Sequence, residues 1–148
     1  MGASSSVSKC NIRLKDNTYI SYSIGDLNAE YMHNELINAG LNVLQARFMT
    51  ELNDGLDLFK LSLKEIMGQS KNIIFCISEK TAGSFHQTIE ITNALESDKN
   101  IIYVFTDKQF TPLNTPYLIG LVSFNFWLPA YDNTTIEKTL EVLESYDL

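Results

Sequence analysis

A chain of 148 residues with 45% hydrophobic and 11% aromatic side chains is the size of one ordinary domain and can fill one core without disulfides. Its net charge of −7 is unevenly placed: Lys9, Arg13 and Lys15 give residues 1–15 a charge of +3 with no acid, which leaves −10 on the remainder. That acidic body has no basic, aromatic-interleaved stripe and disfavours nucleic acid; the apolar runs are too short to cross a bilayer and none resembles a signal peptide, so a cytosolic chain is expected.

The first segment, residues 1–16, reads as a disordered leader. Its opening Met1-Gly2-Ala3-Ser4-Ser5-Ser6 fits the N-myristoylation pattern, in which removal of Met1 exposes Gly2 as the acyl acceptor. One myristoyl chain holds a protein on a membrane only marginally, so a second signal is expected, either palmitoylation of Cys10 or the small basic cluster. A Ser-rich tail with an incidental Gly2 is the plainer alternative.

From residue 17 to the C-terminus, short β-rich runs alternate with helical stretches, the pattern of βαβ units and a parallel sheet. Strands are expected at residues 18–23, 41–46, 72–78, 100–106 and 121–127. The third and fourth are continuous apolar runs, as in central parallel strands. Cys76, inside the third, reads as core, and two distant cysteines supply neither a disulfide framework nor a metal site.

Helix one carries Leu27, Tyr31, Met32, Leu36 and Ile37 and stops at Gly40. A second spans residues 57–67 with Leu58, Leu61, Leu63, Ile66 and Met67. A third runs from Ser84 to Leu95 behind a Ser84/Gln87 capping box, and a last one follows a Thr134/Glu137 cap with Ile136, Leu140 and Leu143. Residues 107–120, with Pro112 and Pro116, are expected to be mostly loop. The sum is an α/β, flavodoxin-like three-layer sandwich, a five-stranded parallel sheet with helices on both faces.

Ligands of such sheets sit at the carboxyl ends of the strands, where strand order reverses. That singles out three loops: residues 23–26, 47–56 and 79–83. No GxGxxG follows strand one and no phosphate-binding GxxxxGK[ST] occurs. A phosphoacceptor receiver would need an Asp at the end of strand three, where Ser78 stands.

Four motifs, in order from about Thr18 onward, resemble those of Toll/interleukin-1 receptor (TIR) domains. Tyr19-Ile20-Ser21-Tyr22-Ser23 with Asp26 is similar to the family's FISYS...D box. Gly40-Leu41-Asn42-Val43, followed by a loop containing Gly55, resembles its second strand and BB loop. Ile66 to Ser78 resembles its helix-then-strand segment, and Ser84 to Glu90 resembles the SxWCxxE box. Within the family the likeness is to the sterile-alpha-and-TIR-motif NAD hydrolase type, through the Ile66-Met67-Gly68 segment, the Glu90-to-Leu95 helix, Lys99-Asn100-Ile101, Trp127 and Thr135-Ile136-Glu137-Lys138. Where the family has Trp-Cys in the last box, this chain has His86-Gln87. Strand two ends Leu44-Gln45-Ala46 instead of aromatic-then-acid, and the BB loop lacks its Pro.

The resemblance implies cleavage of NAD+ between nicotinamide and ribose, with NAD+ as substrate and no resident cofactor or metal. Glu90 falls at the position of the catalytic glutamate. Tyr22, Ser23, Ser84, His86 and Trp127 are then candidates for the nucleotide pocket, His86 by stacking or by pairing with Glu90 across one helical turn. The plainer roles are a solvated helix glutamate for Glu90, core packing for Tyr22 and Trp127, and a surface histidine for His86. Products would be nicotinamide with ADP-ribose or a cyclic form, in immune or cell-death type signalling. The alternative function is a non-catalytic module, anchored on the cytosolic face of a membrane, that recruits or blocks partner TIR domains. Self-association is expected under both.

Overall fold

The computed structural model of the protein describes residues 17–45, 63–107, 126–128 and 131–146. The leader with Gly2 and Cys10, the loop at residues 47–56, Leu58 and Leu61, most of residues 107–120 and the side chain of Trp127 lie outside what is described.

Along the chain run β1 (Asn17–Ser21), α1 (Leu27–Asn38), β2 (Val43–Leu44) and α2 (63–68). Then come β3 (Ser70–Ile77), a 3-10 helix (Glu79–Gly83), α3 (Phe85–Leu95), β4 (Asn100–Phe105), β5 (Phe126–Leu128) and α4 (Thr135–Tyr146). All strand pairs are parallel, and the order across the sheet is β2-β1-β3-β4-β5. β1, β3, β4 and β5 form the body of the sheet, and the strand expected at residues 41–46 contributes only a two-residue edge.

Period-two alternation sends successive side chains of each strand to opposite faces. One core layer joins Tyr19, Ile73, Phe75, Ile101 and Tyr103 to Leu63 and Met67 of α2 and to Ile91 and Ala94 of α3. The other joins Ile20, Ile74, Cys76, Ile102 and Val104 to Met32 and Leu36 of α1 and to Leu140 and Leu143 of α4. Helices therefore cover both faces of an α/β sheet. Each fully buried Ile or Leu contributes about 1.5–3 kcal/mol of transfer free energy. Among the described residues no helix is long and apolar enough to cross a membrane.

Helix α1 ends in a Schellman arrangement. Leu41 N–H donates to Leu36 O at 3.2 Å and Gly40 N–H to Ile37 O at 2.9 Å, with Gly40 at φ +98° as this terminator requires. Its buried face differs from the expectation. Ala29, Met32 and Leu36 turn inward, whereas Leu27, Tyr31 and Ile37 are 74%, 57% and 48% exposed. The three inward positions are spaced i, i+3, i+7, the stripe one side of a helix can bury.

Two helix starts also depart from the sequence reading. Ser84 caps α3 by accepting from Gln87 N–H at 3.1 Å, but the Gln87 side chain goes to the sheet and does not close a capping box. At α4 the Thr134 hydroxyl turns back to Asp132 Oδ1 at 2.6 Å, while Thr134 N–H donates to the same oxygen at 2.8 Å. Those bonds from Thr134 hold the exposed Asp132 carboxyl below the usual range.

Candidate active site

β1 lies at the reversal of strand order, paired with β2 on one side and β3 on the other. Tyr19 and Ser21 share the face that meets α3, because they are two residues apart. Helix α3 leaves the carboxyl end of β3 through the 3-10 helix, and its Gln87 and Glu90, three residues apart, present one surface to β1. The Glu90 carboxylate meets both β1 side chains: Tyr19 OH donates to Oε2, and Ser21 Oγ donates to Oε1 at 2.8 Å. Glu90 is 2% exposed. A carboxylate taken this far from water needs such bonds, since an isolated buried charge is costly and hydrogen bonds to an ionised acceptor are the strong ones.

Gln87, fully buried, joins the strand ends. Its Nε2 donates to Cys76 O at 2.8 Å and to Ser21 O at 3.3 Å, and its Oε1 accepts from Ser23 Oγ at 3.0 Å. One side chain thus donates to carbonyls at the carboxyl ends of both β1 and β3.

Of the residues singled out in the sequence, Ser23, Ser84 and Glu90 are gathered here, with Ser84 at the head of the helix that carries Glu90. His86 is half-buried on the same helix, one turn before Glu90. Tyr22 goes elsewhere: being one residue out of phase with Ser21, it packs on the α1 side, its hydroxyl 2.9 Å from His33 Nδ1 and its ring edge-on to the imidazole. Trp127 is located by its backbone, which pairs with Tyr103.

Tyr19, Ser21, Gln87 and Tyr103 were not anticipated as site residues. For the first two the available signal was their alternation within one strand, and for Gln87 its three-residue spacing from Glu90. Register puts Ser21, Phe75, Tyr103 and Trp127 in one row across the sheet. Tyr103 stacks on Phe75 at 5.6 Å between centroids. Its buried hydroxyl has no hydrogen-bond partner among the described residues, and burial pushes its pKa up to about 12.

A cavity of about 540 Å³ opens at the carboxyl edge beside the start of α1, lined among others by Gly25, Asp26, Glu79, Lys80, Thr106 and Asp107. Two of the three expected loops, residues 23–26 and 79–83, contribute to it. The cavity holds none of the side chains around Glu90, and three carboxylates against one ammonium make it a poor seat for a pyrophosphate. Asp26 is committed to structure there: Oδ1 caps α1 through Ala29 N–H at 3.1 Å and Oδ2 accepts from Thr106 Oγ1 at 2.5 Å. Among the described residues no three His, Cys, Asp or Glu side chains are grouped to hold a metal ion. Comparison with protein-family models, with curated proteins and with solved structures found no match to this chain.

Proposed function

We propose that the chain is a TIR domain of flavodoxin-like layering that cleaves NAD+ between nicotinamide and ribose, with Glu90 as its catalytic carboxylate. The observation that carries this reading is a glutamate, at the motif position of the resemblance, buried beside the strand-order reversal and accepting hydrogen bonds on both oxygens. Nicotinamide leaves a cationic precursor as a neutral molecule. The C1′–N bond breaks with its electron pair going to the ring, so no acid is needed for the leaving group, unlike in an ordinary glycosidase. A fixed negative charge stabilises the oxocarbenium-like transition state. Water then adds at C1′ and loses a proton to give ADP-ribose, or an adenine nitrogen adds to give a cyclic form. Ser23, Ser84 and His86, gathered at the start of α3, are the nearest candidates to border the nucleotide, with Trp127 of β5 a further one, whereas Tyr22 faces the α1 side.

A myristoyl group on Gly2, with or without palmitoylated Cys10, would confine the domain to the cytosolic face of a membrane and raise its effective concentration for self-association. The test is nicotinamide release from NAD+ by the full chain at high concentration or on vesicles, beside Glu90→Ala. Release by the wild type and none by the variant is expected. Equal rates, or none in either, would sink the enzyme reading.

A second reading, a non-catalytic module that recruits or blocks partner TIR domains, is favoured by one feature. Ile24 and Leu27 are 83% and 74% exposed, and Tyr31 follows Leu27 at i+4 on the same helix face. Intact NAD+ together with concentration-dependent association that Leu27→Ser abolishes would favour it.

A further inference from the structure

We infer that Tyr19 and Ser21 are positioning residues for Glu90: their hydroxyls aim its carboxylate and hold it in the charged form. This rests on the catalytic reading of Glu90 and deepens it. Both residues are fully buried, and the ladder fixes both backbones, with Tyr19 opposite Ile73 and Ser21 opposite Phe75. A long side chain two residues from the strand end and a short one at the end itself converge on separate oxygens of one carboxylate. A single donor would leave the group free to turn about its last bond; two on different oxygens set its plane.

The same pair opposes the effect of burial. Removing a carboxylate from water favours its neutral form, whereas donors to the charged form favour ionisation. An ionised carboxylate accepts from these hydroxyls on both oxygens, while a protonated one would donate from one of them and turn that hydroxyl into an acceptor. Only the charged form stabilises a cationic transition state, so donors to that form raise the share of the enzyme that is competent at a given pH. Gln87 supports the arrangement from the next helical turn, because its bonds to Ser21 O and Ser23 Oγ register α3 against β1.

The test uses the full chain with Tyr19→Phe and Ser21→Ala, each deleting one hydroxyl, and Glu90→Gln as reference. In NAD+ cleavage, kcat is expected to fall about tenfold in each variant with little change in KM, and the acid limb of the rate profile moves to higher pH. Independently of activity, the carboxyl carbon signal of isotope-labelled Glu90, assigned by its loss in Glu90→Gln, titrates at higher pH in both variants than in the wild type. An unchanged titration, or a kcat that stays level or rises, overturns the inference. A wild-type chain that releases no nicotinamide overturns the catalytic reading, while the titration still decides whether the two hydroxyls hold the charge. Tyr19→Phe removes one atom from a buried ring, so a retained unfolding midpoint separates this loss from misfolding.

Discussion

The two faces of the sheet are made by the same strands. Against α1 and α4 the alternate residues are Ile20, Ile74, Cys76, Ile102 and Val104, an aliphatic surface that α1 and α4 meet with Met32, Leu36, Leu140 and Leu143. Against α3 the phase shifted by one residue gives Tyr19, Ser21, Phe75 and Tyr103, and the helix answers with Gln87 and Glu90. An apolar layer needs only volume and shape, so it tolerates exchange among similar side chains. A layer with buried polar groups must match donor to acceptor atom by atom, because each unmatched group costs what its desolvation costs. A protein keeps such a layer where it needs a particular charge in a particular place.

The comparison is sharpest in stability. Leu36→Ala, at a fully buried position of the aliphatic layer, should cost about 2–5 kcal/mol by urea unfolding, with a cavity as the cause. It should leave the titration of Glu90 where it was; a shift would show that the two layers are not independent. On the other face, Gln87→Ala should cost about 1–3 kcal/mol by stripping donors from two buried carbonyls. Gln87→Glu should be worse at neutral pH and recover on acidification, since only the protonated carboxyl regains a donor. If Ala and Glu behave alike across pH, the amide is mere filler.

The smallest effect has the opposite sign. Tyr103→Phe removes a buried hydroxyl without a partner among the described residues and should stabilise the fold by about 1 kcal/mol. It should also soften alkaline unfolding. The ordinary phenol value of 10.0 applies to the unfolded chain, and burial raises Tyr103 to about 12 in the fold. The unfolded chain therefore loses its proton first, and stability intact below about pH 10 drains away as pH rises toward 12. Tyr131, also raised to about 12 chiefly by burial, leaves a residue of the same slope in the variant. Unfolding curves between pH 9 and 12 check this, and an identical slope in both proteins would refute it.

Much of the frame is legible in the residues themselves. The apolar runs of β3 and β4, the Gly40 terminator and the Ser84 cap all depend on neighbours within a few positions, where local rules hold. The observed β2 is shorter than its sequence suggests because an edge strand's length is decided by what pairs with it, and Leu27, Tyr31 and Ile37 face outward because several apolar stripes fit one helix until a sheet selects one. The partners of Glu90 were illegible for a different reason. Tyr19 and Ser21 lie 71 and 69 positions away, and only the register of β1 against α3 brings them together. Gln87 is the instructive case: its spacing from Ser84 suggests a capping box, yet the amide goes to two distant carbonyls instead.

That amide has a mechanical consequence. A primary amide offering N–H to the carbonyls of Ser21 and Cys76 and its oxygen to Ser23 does the work of a peptide group, so α3 supplies the sheet with one further rung beyond the last backbone pair of β1 and β3. The helix cannot slide along its axis or roll without breaking that rung. Glu90, one turn on, is therefore geared to the strand ends: a load that tilts α3 is transmitted to β1 and β3 together, and the carboxylate moves with its hydroxyls instead of past them.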